Sequence, residues 1–298
     1  MADEQEQKDS STDISRRDFV TLSVTAAAGL AVGTGTPSEA AVAVVEENVT
    51  IKTPDGMCDA AFIHPTTGAH PAVLIWPDAF GLRPVMREIG KRIAGEGYSV
   101  LVPNPFYRLA KAPVFDDPSK FNFANQADMA KLQPLMGSIN APGAAERDAT
   151  AFIAWLDTQR QVDKAKKIGT QGYCMGGPLV VKTAATVPAR VGAGASFHGG
   201  GLVTDMPTSP HLLAPKIKAR MYFGVAANDD MRQPDAKVKL KDAFAAAKVT
   251  AEVEVYGSNH GWCVRDMPLA EGKPIYNMPD AEKAWGKLVT LYKGALQS

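Results

Sequence analysis

The segment Gly172-Tyr173-Cys174-Met175-Gly176-Gly177 lies between a predicted strand and a predicted helix and matches the glycine–x–nucleophile–x–glycine pattern, with cysteine as the nucleophile. Such a turn is sharp, so it tolerates little bulk two residues to either side, which accounts for Gly172 and Gly176. The first turn of the following helix presents unpaired N–H groups that favour a thiolate. A nucleophile of this kind needs a base and a residue that orients the base, and the chain supplies both, each after a strand and in the order nucleophile, acid, histidine. Asp229, in Asn228-Asp229-Asp230, is the expected acid, with Asp230 the alternative. His260, in Ser258-Asn259-His260-Gly261, is the expected base. His198, in Phe197-His198-Gly199-Gly200-Gly201, precedes the acid and so breaks the order; it is expected to serve the pocket or to stand behind the reacting groups. An acyl-transfer site also needs two N–H donors for the developing oxyanion. The expected pair is Met175, next after the nucleophile, and Ala79, in the loop Trp76-Pro77-Asp78-Ala79-Phe80-Gly81.

These positions require a sheet whose strand ends face one way. Short β-rich runs alternate with helical patterns along the chain, the sequence form of an α/β fold with a mostly parallel sheet flanked by helices. Eight strands are predicted near 49–53, 60–64, 72–76, 99–103, 167–172, 191–197, 220–225 and 252–256. Helices are predicted near 84–96, 142–159, 177–187, 234–247 and 280–296, with one more stretch near 124–135. The run Ala72-Val73-Leu74-Ile75-Trp76 is apolar throughout, as expected of a strand covered on both faces near the sheet centre. Residues 104–141, with Phe106, Tyr107, Phe115, Phe121 and Phe123, exceed an ordinary connection. They can build a substrate pocket or lid, or form a surface excursion packed on its own aromatics.

Lys and Arg number 32, matching 32 Asp and Glu, so no net field favours nucleic acid or an anionic membrane. A small-molecule partner, neutral or locally anionic, is expected instead. His64, His70 and His211 have no metal-site spacing, and Cys58, Cys174 and Cys263 cannot form a disulfide framework. With no phosphate loop or dinucleotide fingerprint either, neither metal nor cofactor is expected. Near the N-terminus, Ser15-Arg16-Arg17-Asp18-Phe19-Val20 precedes a mildly apolar stretch rich in Ala, Gly and Thr, and small residues from Ala40 to Ala43 offer cleavage points. This has the form of a twin-arginine export signal. The expected organisation is a signal over residues 1–43, a single catalytic domain over 44–298, and a periplasmic mature protein with no stable membrane association.

From about residue 46 to 296 the chain resembles the dienelactone hydrolase family. The resemblance rests on the Gly172–Gly177 segment, on Asp78-Ala79-Phe80-Gly81, on Phe197-His198-Gly199-Gly200, on Asp229 and on His260-Gly261-Trp262. It implies an α/β-hydrolase fold and a cysteine thiolate that opens a lactone or enol-ester ring through an acyl-enzyme, as in carboxymethylenebutenolidases. It also implies that Asp78 stands where the family has a glutamate meeting the resting thiol, one methylene shorter here. Arg108 and Arg265 fall one residue from the positions of two arginines that grip a substrate carboxylate, and Tyr107 and Trp262 flank the same region. The alternatives are a general carboxylesterase or thioesterase of the same fold, and a non-catalytic binding protein that kept the sheet.

Overall fold

The computed structural model describes residues 42–297; the expected export signal lies almost wholly outside them. Eight strands form one sheet: β1 (Val44–Thr53), β2 (Gly56–Pro65), β3 (Ala72–Trp76), β4 (Ser99–Pro103), β5 (Ile168–Tyr173), β6 (Val191–Phe197), β7 (Arg220–Val225) and β8 (Ala251–Val255). Their spatial order is β1-β2-β4-β3-β5-β6-β7-β8. Strand β2 runs antiparallel to both of its neighbours, and the pairs from β4 to β8 are all parallel. This is the α/β-hydrolase sheet.

Strand β3 is buried along its whole length, as its unbroken apolar run requires, and lies between β4 and β5. The parallel strands are joined through α1 (Pro84–Gly95), α2 (Gln126–Asn140), α3 (Ala144–Leu156), α4 (Gly176–Thr186), α5 (Ala227–Arg232) and α6 (Ala236–Ala246), and α7 (Met278–Leu296) closes the fold. Pro84 opens α1, where its missing N–H costs no bond, and the Asn125 side chain caps α2 by accepting from the Ala127 and Asp128 N–H groups.

One difference from the sequence reading bears on the site, and one of its open alternatives is decided. Asp229 and Asp230 sit in the first turn of the short α5 rather than in a loop. Residues 104–141 carry the expected helix as α2, and Phe115 and Phe121 lie edge-on to Phe80 at centroid separations of 5.4 and 5.2 Å while Phe123 is exposed. The segment is therefore packed on its own aromatics and also fixed to the loop that holds Ala79.

Candidate active site

Strand β5 delivers the chain to Cys174 in a left-handed conformation, φ 50°, which a non-glycine residue adopts only when its surroundings enforce it. The glycines permit the turn. A Cβ on Gly172 would overlap the Gly176 carbonyl, one on Gly176 would overlap the Trp76 carbonyl, and one on Gly177 would come within 2.5 Å of the Gly199 Cα. The start of α4 is thereby pressed onto the chain that leaves β3, which brings Met175 toward the Asp78–Gly81 loop.

That loop is ordered by its own carboxylate. Asp78 Oδ1 accepts from the Phe80 N–H at 2.9 Å, and the Asp78 carbonyl accepts from the Gly81 N–H at 3.0 Å. Among the described residues, neither the Ala79 nor the Met175 N–H donates to a protein acceptor. Both residues are nearly buried, at 6% and 5% exposure, so these donors remain available to a ligand oxygen.

His260 follows β8. Its backbone N–H donates to Asn228 Oδ1 at 2.8 Å, and its Nδ1 lies 2.6 Å from Asp229 Oδ2. The carboxylate holds a proton on Nδ1, and the imidazole is coupled electrostatically to the nearby Cys174. Burial alone would push the imidazole down. The hydrogen bonds to Asp229 and Cys174, together with their charges, outweigh it and raise His260 to about 10. Asp230 turns away and pairs with Lys237 Nζ at 2.6 Å, so of the two expected acids only Asp229 meets the histidine.

The remaining residues expected at the site take other places. His198 is fully buried behind the nucleophile, at φ 42°, with Nδ1 accepting from the Cys174 N–H at 3.1 Å. Its ring meets His260 and Trp262 edge-on at 4.9 and 5.0 Å. Burial, reinforced by the neighbouring His260, holds His198 well below the usual histidine range, so it is neutral. Trp262 is also fully buried, stacked on Tyr256 at 4.8 Å. His198 thus packs directly against His260, with Trp262 behind His198.

Tyr107 and Arg108 do not face the thiol. The Tyr107 hydroxyl bridges Thr53 and Asp148, each at 2.7 Å, and Arg108 donates to Asp55 and to both oxygens of the buried Asp148. This cluster joins the β1–β2 turn to α3, and the attraction of a buried carboxylate decides where Arg108 points. Arg265 stacks on Tyr276 at 5.5 Å and lines a cavity between α1 and α7 together with Arg92, Cys263 and Trp285. Asp78, fully buried, gives both oxygens to Arg83, at 2.7 and 2.8 Å, so the expected contact with the thiol is replaced by an ion pair.

Arg83 and its second partner Asp266 went unnoticed in the sequence. The available signal was a cation directly before the first residue of a helix, where the helix dipole disfavours it and a carboxylate partner is needed.

Residues 58–296 match the dienelactone hydrolase family. A Synechocystis sp. relative is 27% identical over 237 residues, covering 77% of this chain and 88% of its own length. The carboxymethylenebutenolidase of Pseudomonas sp. strain P51 is 24% identical over 204 residues, 68% of this chain and 79% of that protein. Among solved structures, a dienelactone hydrolase-like promiscuous phosphotriesterase from metagenomic libraries superposes with a TM-score of 0.68 at 24% identity, covering 85% of this chain and 99% of that one.

Proposed function

The chain belongs to the dienelactone hydrolase family, and from that premise we propose that it hydrolyses a carboxylic ester or lactone with Cys174 as nucleophile, His260 as base and Asp229 as the residue that orients His260. The observation that carries the reading is the contact of Asp229 with His260 Nδ1 at 2.6 Å, with Cys174 nearby on its strained turn.

In this mechanism His260 holds the proton of the thiol while the sulfur attacks the carbonyl carbon. The oxyanion then forms against the Met175 and Ala79 N–H groups. Collapse expels the alkoxide or enolate, which takes its proton from His260, and leaves a thioester on Cys174. Water, deprotonated by His260, attacks the thioester; the thiol is restored and the carboxylic acid leaves. Every proton moves through one imidazole whose orientation Asp229 fixes. In a lactone the acid and the leaving oxygen stay in one molecule, so the ring opens.

The family favours a lactone or enol-ester substrate. A second reading, a neutral open-chain ester, is favoured by one observation: Arg108 is committed to Asp55 and Asp148, so it is not free to grip a substrate carboxylate. The twin-arginine motif at Arg16-Arg17 supports delivery to the periplasm.

The test is turnover of an aryl acetate and of an enol lactone, with and without stoichiometric alkylation of Cys174. Alkylation is expected to stop both reactions, Cys174→Ala to be inactive but folded, and Cys174→Ser to keep only a trace of activity. A fully active Cys174→Ala enzyme would overturn the mechanism. A wild-type protein that binds these esters without turning them over would make it a binding protein instead.

A further inference from the structure

We infer that Arg83 is a positioning residue that ties the loop carrying Ala79 to the loop carrying His260. The inference rests on the hydrolytic reading above and assigns the placement of one oxyanion donor to a residue that touches neither substrate nor nucleophile.

Arg83 is 2% exposed, and all five of its N–H bonds are used. Nη1 donates to Asp78 Oδ1 at 2.7 Å and to the Gly81 carbonyl at 3.0 Å. Nη2 donates to Asp78 Oδ2 and Asp266 Oδ1, each at 2.8 Å, and Nε to Asp266 Oδ2 at 2.9 Å. Asp78 and Gly81 bracket Ala79, while Asp266 lies six residues beyond His260. One planar cation thus bonds two segments that are 183 residues apart in sequence.

The chemistry makes this linkage directional. A guanidinium engaged edge-on by two carboxylates fixes distance and angle together, which an ammonium cannot do. The Asp78 carboxylate that Arg83 holds also caps the Phe80 N–H, so the backbone around Ala79 is set by the same group. The Ala79 N–H therefore has its direction fixed relative to the loop from which His260 projects. Misplacing such a donor by about 1 Å costs on the order of 10²-fold in rate. A residue that acts in this way should affect kcat far more than KM, because the oxyanion exists only after attack.

Stability and positioning have to be separated, since Arg83→Met alone leaves Asp78 buried without a partner and can unfold the protein. The informative variant is Arg83→Met combined with Asp78→Asn, which removes both charges. It is compared with wild type in melting temperature, in Cys174 alkylation by iodoacetamide, and in kcat and KM on an aryl acetate. The expected result is a melting temperature near wild type and unchanged alkylation, with kcat lower by about 10²-fold and KM little changed. Recovery of kcat along with stability would overturn the inference and leave Arg83 a purely structural residue. Asp266→Asn provides the second arm, because it keeps the buried Arg83–Asp78 pair and loosens only the link between loops. It should lower kcat at least about tenfold and speed amide hydrogen exchange in residues 78–82 as well as in residues 263–267. Exchange confined to the 263–267 segment would refute the coupling. The exchange measurement needs no substrate, so a wild-type protein that hydrolyses no ester would defeat the proposed function while leaving this inference testable on its own.

Discussion

Replacing Asp229 with Asn removes a charge and leaves the shape, so its effect can be worked from the site. His260 is raised to about 10 although burial pushes it down, and the opposing contributions come from the hydrogen bonds and charges of Asp229 and Cys174. Against an ordinary value near 6.5 this gap corresponds to about 5 kcal/mol of preference for the imidazolium, at about 1.4 kcal/mol per pH unit. Asp229 is the first of the groups that oppose burial, and losing its charge together with the imidazole orientation it fixes is expected to lower kcat/KM by up to about 10⁴-fold. Asp230→Asn loses only a partly exposed pair with Lys237, worth less than about 1 kcal/mol, and the rate should stay near wild type. The sign of the stability effect follows from the same shift. The folded value lies above the unfolded one, so the stabilisation is present below about 6.5 and is lost as pH rises through about 10. The melting-temperature gap between wild type and Asp229→Asn should therefore be widest near pH 6 and close toward pH 10. The assays are aryl ester hydrolysis and thermal melts across this range. An Asp230→Asn enzyme crippled beside a normal Asp229→Asn enzyme would move the acid to Asp230, and two normal enzymes would sink the arrangement.

Arg108→Ala is expected to destabilise the protein by about 3–5 kcal/mol, because Asp148 would be left buried and unpaired, while KM for ester stays unchanged in the folded fraction; a raised KM at normal stability would return Arg108 to the substrate site. Gly176→Ala should abolish turnover and lower the melting temperature, since its Cβ would overlap the Trp76 carbonyl; a stable, active variant would mean that the close approach of α4 to β3 is not required. The double change Arg16→Lys, Arg17→Lys is expected to leave the precursor in the cytoplasm on fractionation, and unchanged periplasmic protein would remove the export reading.

The parallel core of the fold was legible because its strands are short, apolar and bounded by turn residues. Strands β3, β4, β6 and β7 occupy the residues their patterns indicate. Strand β1 begins at Val44 rather than Val49, since Glu46, Glu47 and Asn48 look like loop residues until β2 offers them a partner, Val44 pairing with Pro65. The six-residue helix α5 was invisible to periodicity, which needs several turns to register. At the site, order along the chain singled out Cys174, Asp229 or Asp230, and His260, and the structure brings Asp229 to His260 at 2.6 Å. Order was not enough for the arginines, whose long side chains go where a buried carboxylate pulls them. Arg108 is drawn to Asp148, which arrives 40 residues later on α3, and Arg83 to Asp266, which arrives 183 residues later.

That allocation of charge also bears on what the site can bind. Arg83 is saturated by Asp78 and Asp266, Arg108 and Arg147 share Asp55, and Arg190 pairs with Asp157. Each guanidinium bonded in this way stiffens the scaffold, and breaking one of these pairs to hold a substrate anion would leave a carboxylate without its partner, of which Asp78 is fully buried. Beside Ala79, Phe80 is enclosed by Phe115 and Phe121, and the exposed Phe123 lies 4.9 Å from Phe121. These rings are buried against one another, so they brace the loop that carries Ala79, and only Phe123 is open to solvent. The geometry around Cys174 is thus set by its own turn and by the loops after β3, β7 and β8, and the first of these loops is braced from outside by the aromatic packing of residues 104–141.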